Sequence, residues 1–170
     1  EMGIASRIEG ALYTVEHVFA PGTTLAPGQS FDLGTTYCHI VLEADGPVAI
    51  HHTAESRWQD HPCYQQHRLE SYIGTPLWVE GKRHGTLNFS SRTPHPQPFS
   101  DTDIDFVQLM GRLVGSLLER QRSRQVLEQQ AEELSGANAQ LQEKERMLTA
   151  FQRIGEAILS SLDLEQILDN

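Results

Sequence analysis

The sequence predicts an α+β fold: an antiparallel sheet of five or six strands with flanking helices, followed by a long helix. Residues 72–91 carry two runs of alternating apolar and polar residues around a glycine-containing turn, which is a β-hairpin pattern. From residue 101 to about residue 150 the chain has no proline and places apolar residues at helical spacing. A hydrophobic content of 38% suits a small core followed by a polar helix.

Two strands are predicted near the start of the chain, over residues 3–10 and 12–19, with a turn at Glu9 and Gly10. Alternation places three side chains on one face of the second strand: Tyr13, Val15 and His17. Residues 21–30 contain two prolines and two glycines, and we expect them to form a loop.

Residues 33–45 fit either of two structures. Their β-branched residues permit a strand, whereas the spacing of Tyr37, Ile40 and Val41 fits one face of a helix. After an Asp-Gly turn, residues 47–53 are predicted to form a strand. The following segment is polar, and we expect a loop with a short helix before the hairpin begins.

The hairpin turn is placed at residues 81–85, between a run that includes Leu77 and a run that includes Leu87. Glycines stand at both ends of this turn. We expect Gly85 to need a backbone conformation that is disfavoured for other residues. A substitution there would then destabilise the fold by straining the backbone.

The hairpin carries the pattern S-Y-I-G-T-P-L-x-V-x-G-x-x-x-G-T-L-N-F over residues 71–89. This pattern resembles the central hairpin of a GAF domain, the small ligand-sensing module of bacterial signalling proteins. The resemblance extends over about residues 3–120. It implies that the hairpin forms the middle of the sheet and that a ligand pocket lies over one face of it.

The resemblance also implies how the other elements are arranged. Helices near residues 36–44 and 63–70 would cap the pocket, and the helix from Asp101 would pack on the other face of the sheet. GAF domains normally have a helix before their first strand. Residues 1–120 are therefore interpreted as a GAF sensor domain that lacks its N-terminal helix.

The long helix is expected to carry two apolar patterns. The first is a stripe at helical spacing, formed by Phe106, Met110, Leu113 and Leu117. The second consists of leucines seven residues apart, at the d positions of a heptad repeat: Leu127, Leu134, Leu141 and Leu148. Asn138 at an a position favours a parallel coiled coil of two helices. We therefore expect residues 120–150 to be a coiled-coil linker that joins two copies of the chain through these residues.

The last part of the sequence changes character. Its apolar residues become dense from Leu148 onward, and Ser161 with the next two residues is predicted to break the helix. The pattern I-G-x-A-I-L-S-S-L-D-L-E-Q-I-L resembles the opening helices of another GAF domain. Residues 151–170 are therefore interpreted as the first helical part of a second, truncated GAF domain.

Five side chains are candidate ligand-binding residues, because the resemblance places their segments around one pocket: Cys38, His52, Cys63, Tyr64 and Tyr72. The cofactor or ligand is not identified. Cysteine and histidine suit zinc, iron or copper, but their spacing matches no standard metal motif. Redox sensing by the two thiols and chromophore attachment at Cys63 remain open. Asp60, His61 and Cys63 could be drawn as a thiol–base set, but no catalytic residue is assigned.

The whole sequence favours a sensor. A net charge of −10 argues against nucleic-acid binding, and no apolar run approaches the length of a membrane span, so we expect a cytoplasmic fragment without membrane contact. Such an input domain would bind a small ligand and signal through the dimeric coiled coil to an output module. Family analogy places a histidine kinase first, before a diguanylate cyclase or phosphodiesterase. The alternative is a dimerisation scaffold whose pocket binds nothing.

Overall fold

An antiparallel sheet is the centre of residues 1–121, which form one of two compact units in the computed structural model. The structure describes the backbone of residues 1–168 and the side chains of residues 1–158. Within that part of the chain the sheet has six strands: β1 (Met2–Glu9), β2 (Leu12–Phe19), β3 (Ser30–Asp32), β4 (Val48–Ile50), β5 (Ser71–Val79) and β6 (Lys82–Ser91). The helices are α1 (Cys38–Ala44), α2 (Pro62–His67) and α3 (Asp101–Leu168).

The strands lie in the order β3-β2-β1-β6-β5-β4, and each neighbouring pair is antiparallel. The sheet therefore joins two hairpins, β1–β2 and β5–β6, through the pairing of β1 with β6. This confirms the predicted antiparallel sheet. The hairpin that was expected to form its middle contributes β6 to the central pair, whereas β5 lies one strand further out, next to the edge strand β4. The strand β3 was not anticipated, because it follows a loop rich in proline and glycine. The ambiguous segment before β4 is helical and forms α1.

The two faces of the sheet have separate cores. Ile4, Tyr13 and Tyr72 belong to a buried cluster that includes Cys38 of α1 and Cys63 of α2. On the opposite face, a smaller cluster contains three buried side chains packed against Met110 and Val114 of α3: Ala5, Leu77 and Leu87. Alternation along the strands divides the apolar residues between these two layers.

A β-bulge corrects the predicted face of His17. Val15 pairs with Ser6 and His17 pairs with Ala5, so Glu16 has no partner in the register. An extra residue in one strand reverses the alternation beyond it. Tyr13 and Val15 are buried on the face toward α1, whereas His17 is exposed and lies opposite Ala5.

The hairpin turn is tighter than the sequence interpretation placed it. Val79 already pairs with Lys82, so the turn consists of Glu80 and Gly81 alone. Their φ angles of 53° and 70° are the left-handed values that a two-residue hairpin turn of type I′ requires. The predicted disfavoured backbone conformation at Gly85 is wrong, because this residue lies within β6 and has no positive φ.

Ser100 and Asp103 form the cap at the start of α3. The Ser100 N–H donates to Asp103 Oδ2 at 2.8 Å, and the Asp103 N–H donates to Ser100 Oγ at 3.3 Å. This reciprocal arrangement satisfies a backbone donor that would otherwise have no partner within the helix. Ser100 therefore caps the start of α3.

The face that α3 presents to the sheet is not the predicted stripe. Val107 is buried and Met110 and Val114 pack on the sheet, whereas three of the four stripe residues are more than half exposed: Phe106, Leu113 and Leu117. Gly111 and Gly115 directly follow Met110 and Val114. A Cβ on Gly111 would lie 2.6 Å from Thr75 Cγ2, and one on Gly115 would overlap the Trp78 carbonyl oxygen. The glycines thus let the helix approach β5 closely.

The second unit begins at Arg122 and consists of the remaining length of α3. The four heptad leucines are exposed in this single chain. The predicted helix break at Ser161 is wrong, because the helix continues through Leu168. The side chains of residues 159–170 lie outside the described residues, and the assignment of residues 151–170 to a second domain stays a prediction.

Candidate ligand-binding site

A cavity of about 560 Å³ lies between one face of the sheet and the segments that contain α1, α2 and the β2–β3 loop. Its strand lining is largely apolar and aromatic: Met2, Ile4, Tyr13, Val15, Tyr72, Asn88 and Ser90. Its remaining lining comes from the β2–β3 loop, from β3 and from the segments around α1 and α2, including Leu25, Phe31, Tyr37, Cys38, Cys63, His67 and Leu69. A cavity of this size and composition is typical of small-molecule sites.

Tyr37 fixes the start of α1 against the sheet. Its side chain is almost fully buried, and its hydroxyl donates to the Leu69 carbonyl oxygen at 3.1 Å. Its ring meets the Tyr72 ring edge-on, with 5.2 Å between centroids. A buried tyrosine that pairs its hydroxyl while packing its ring holds both partners in one geometry. This anchoring sets the position of the next residue, Cys38.

The polar part of the cavity surrounds Cys38. The Tyr72 hydroxyl and the Asn88 side-chain amide each donate to Cys38 Sγ at 3.5 Å. Burial raises the pKa of the Cys38 thiol, and it also raises the pKa of the hydroxyls of Tyr13 and Tyr72. At neutral pH this region therefore offers uncharged hydrogen-bonding groups and no thiolate.

Cys63 stands in the first turn of α2. His61 caps this helix, since its Nδ1 accepts the Cys63 N–H at 3.1 Å, and Pro62 occupies the first helical position. Burial lowers the pKa of His61, in keeping with a neutral imidazole that accepts a hydrogen bond. Burial raises the pKa of the Cys63 thiol to about 12. The thiol thus stays protonated while His61 Nδ1 is occupied, which does not support the thiol–base set.

Two predicted residues meet at Glu70 instead of at the cavity. The Tyr64 hydroxyl donates to Glu70 Oε1 at 2.6 Å, and this hydrogen bond raises the pKa of Tyr64. His52 Nε2 lies 3.8 Å from Glu70 Oε2, and its Nδ1 lies 3.3 Å from Glu55 Oε2. The Ala54 N–H donates to Glu70 Oε2 as well. This carboxylate ties the segment before α2 to the start of β5.

The five predicted site residues therefore separate into two groups. Cys38, Cys63 and Tyr72 line the cavity, whereas His52 and Tyr64 are not among its lining residues and have polar atoms close to Glu70. A ligand-binding role for any of them stays a prediction. The cavity lining also contains four residues that were not predicted as site residues: Tyr13, Tyr37, Asn88 and Arg92. Alternation could have indicated Tyr13 and Asn88, since the residues next to each of them in its strand point to the other face of the sheet.

No group of three or more His, Cys, Asp or Glu side chains in the part of the chain that the structure describes is placed to hold a metal ion. No helix over the described residues has the length and apolar character needed to cross a bilayer.

Solved structures with the same architecture include several kinds of protein. A GAF domain from a two-component sensor histidine kinase of Bacillus halodurans has a TM-score of 0.53 and 15% identity, covering 73% of this chain and 84% of its own. The PixJ GAF domain of Thermosynechococcus elongatus has a TM-score of 0.56 and 14% identity, covering 75% and 79%. The type II free methionine-R-sulfoxide reductase of Thermoplasma acidophilum has a TM-score of 0.54 and 15% identity, covering 70% and 79%.

These identities are low, so the structural likeness establishes the fold and does not transfer an activity. No curated protein sequence matches the chain. The sequence does match a family model, that of the GAF domain, over residues 6–118. Since this match covers more than half of the chain and coincides with the sheet and its helices, the chain belongs to the GAF domain family.

Proposed function

We propose that this chain is the signal-input domain of a bacterial signal-transduction protein, which binds a small ligand in the cavity over the sheet. The observation that carries the proposal is the cavity itself, about 560 Å³ in volume. GAF domains are signalling and sensor domains, and the histidine kinase and PixJ structures belong to that group. A ligand in the cavity would be the input that this domain detects.

The cavity favours ligand binding over the alternative of an inert scaffold. Close-packed protein interiors have few voids larger than a water molecule. A space of 560 Å³ lies within the range of about 300–1,000 Å³ that ligand sites occupy. Its apolar lining is interrupted by a few polar groups, including Asn88 and the Cys38 thiol. Such a composition gives a ligand both buried apolar area and fixed hydrogen-bonding partners.

The strand β5 provides a route for the signal within residues 1–121. Tyr72 lines the cavity, and Leu77 packs on the opposite face beside Met110 and Val114 of α3. Thr75 lies against Gly111 of the same helix. A ligand that shifts β5 therefore changes the surface on which α3 rests. We propose that α3 passes this change through a dimeric coiled coil to an output module, with a histidine kinase as that module.

Thiol chemistry is not part of the proposal. A thiol needs its thiolate form to act as a nucleophile or a redox centre. Burial raises the pKa of both Cys38 and Cys63, so each stays protonated at neutral pH. The likeness to the Thermoplasma acidophilum reductase therefore extends to the fold and does not lead us to propose a turnover reaction.

The test is ligand detection with the purified chain. Native mass spectrometry and an absorbance scan would reveal a ligand retained during purification, and a thermal-shift library would find added ligands through mass-action stabilisation. Leu25→Trp, which places a larger side chain at the cavity, should abolish the shift. Leu12→Trp provides the control, since Leu12 is half-exposed and does not line the cavity. A shift that survives Leu25→Trp, or no shift with any compound, would contradict the proposal.

A further inference from the structure

The charges around the cavity differ from those of the whole chain. The sequence has 23 acidic and 13 basic residues, giving a net charge of −10. Among the residues that the structure describes, the cavity lining includes no Asp or Glu, whereas His67 and Arg92 both belong to it. The cavity thus has no carboxylate to pair with a cationic ligand but has a permanent positive charge.

Arg92 is the notable member of this set. Among the five arginines before residue 101, Arg7 and Arg83 pair with carboxylates, and Arg57 and Arg68 lie over aromatic rings. The structure gives the Arg92 side chain no ion pair and no hydrogen bond among the described residues. Its guanidinium is therefore available to bind a carboxylate, sulfonate or phosphate oxygen with two parallel hydrogen bonds.

The position of Arg92 is fixed by the backbone beside it. The Glu70 N–H donates to the Ser91 carbonyl oxygen at 2.8 Å, and the Ser71 hydroxyl donates to the Thr93 carbonyl oxygen at 3.0 Å. These two bonds hold the end of β6 next to the segment that leads from α2 into β5. His67 lies at the end of α2, three residues before Glu70. Arg92 and His67 are both exposed, so they mark the open side of the cavity.

The interior of the cavity suits a different part of the ligand. Ile4, Val15 and Phe31 present apolar surface, and the polar groups near Cys38 are uncharged. An acid group placed among them would lose its hydration without gaining a cation, which is costly. The same acid group at the exposed side would keep water and gain Arg92.

Building on the proposed function, we propose that the ligand is an organic anion whose apolar body fills the cavity and whose acid group is held by Arg92. His67 offers a further N–H donor on the same side. A cationic ligand of the same size would have no carboxylate to meet it in the cavity and would face Arg92 at the opening. The site thus selects by charge at its entrance and by apolar fit inside.

The test uses two fluorescent probes of matched shape. Anilinonaphthalene sulfonate carries an aromatic body and one negative charge, and N-phenylnaphthylamine is the same body without the sulfonate. We expect the sulfonate to bind the full chain saturably and more tightly than the neutral probe. Arg92→Gln should weaken sulfonate binding about tenfold, the size expected for losing a charge-assisted contact, and leave the neutral probe unchanged. Arg57→Gln removes the same charge away from the cavity and should change neither.

The possible contrary results separate this inference from the proposed function. If both probes bind equally and Arg92→Gln alters neither, the anion preference is overturned while a ligand-binding cavity stands. If Leu25→Trp leaves the binding of both probes intact, they bind outside the cavity and the inference is overturned. If neither probe binds saturably, the anion inference is overturned, and the thermal-shift library decides separately whether the cavity binds any ligand.

Discussion

Gly85 in β6 lies directly against Ser6 in β1, so closely that a Cβ on Gly85 would overlap the Ser6 carbonyl oxygen. The two strands pair across the middle of the sheet, with Thr86 opposite Ser6. Ser6 Oγ and Thr86 Oγ1 lie 2.9 Å apart and are fully buried. Glycine is needed here for space, and not for the freedom of φ that its place near a turn suggests.

Gly85→Ala should therefore destabilise the first unit strongly. The added methyl group meets backbone, which cannot move aside without breaking the β1–β6 pairing. We expect a loss of about 3 kcal/mol in the free energy of unfolding, at the upper end of overpacking effects. Gly46→Ala is the control, since a Cβ there meets only ordinary contacts at 3.7 Å. Equal stabilities of the two variants in urea unfolding would refute this explanation.

The sheet was predictable from the sequence because alternation and turn residues act locally. The runs around Leu77 and Leu87 indicated the hairpin, and the runs around Ile4 and Val15 indicated the first pair. The position of His17 was not predictable, because it depends on a bulge that no residue type specifies. The order of the six strands was not predicted, because alternation within a strand does not say which strands become neighbours.

The face of α3 and the cavity lining show a different limit. Periodicity selected the larger side chains such as Leu113, whereas the helix packs through Met110, Val114 and two glycines. Where two backbones approach closely, only small residues fit, and a hydropathy pattern does not show where this happens. For the cavity, segment placement brought Cys38, Cys63 and Tyr72 to one site. It missed Arg92, whose position at the cavity depends on the pairing at the end of β6.

Substitutions at the two glycines of α3 should differ in effect. Alanine usually stabilises a helix interior by about 1 kcal/mol relative to glycine. At Gly115 the new methyl group would overlap the Trp78 carbonyl oxygen, whereas at Gly111 it would meet the methyl group of Thr75. We expect Gly115→Ala to lower the melting temperature most and Gly111→Ala less. Gly136→Ala, with open space around it, should raise helicity. A circular-dichroism melt that reverses this order would contradict the packing.

The buried thiols should make stability depend on alkaline pH. The pKa of Cys63 rises from 9.0 to about 12 on folding, so the unfolded chain releases this proton first. The stability that the folded state gains from holding the Cys63 proton is fully present below pH 9.0 and is lost as the pH rises toward 12. Each such proton contributes a slope of up to about 1.4 kcal/mol per pH unit. Cys63→Ala should therefore give a flatter decline in unfolding free energy between these limits.

A control variant separates the effect of Cys63 ionisation from the effect of losing a buried side chain. Val41→Ala also removes buried bulk but leaves every titrating group in place. It should lower stability by a similar amount at all pH values, with the wild-type slope retained. If Cys63→Ala shows the same slope as Val41→Ala, the thiol is not held protonated by burial as the structure indicates.

The final prediction is that two copies of the chain pair in parallel through α3. Four leucines repeat every seven residues from Leu127 to Leu148, and each is more than half exposed in the single chain. Counting back in the same register, Arg120 interrupts the apolar repeat, and Leu113 and Phe106 then fall at exposed d positions. A helix that repeats apolar residues at this period has one seam, which an identical helix can cover.

The a positions make this seam weak, and they favour one orientation. In a parallel pair, Arg124 and Glu145 would each face the same residue of the partner helix, and this repulsion between like charges costs stability. Asn138 would face the partner's Asn138 and can form a hydrogen bond with it. A marginal coiled coil is easily shifted in register or packing by a small input. Parallel pairing would also bring both copies of a following output module to the same end, as a kinase pair needs.

Cross-linking decides the orientation. In a variant with Cys38→Ala and Cys63→Ala, Leu134→Cys should oxidise readily to a disulfide between the two copies, because d positions face each other in a parallel pair. Gln129→Cys at an outward f position is the matched control and should cross-link slowly. Sedimentation should show a dimer for the parent chain. A monomer at high micromolar concentration, or equal cross-linking at both positions, would exclude the parallel seam and leave the exposed leucines without this explanation.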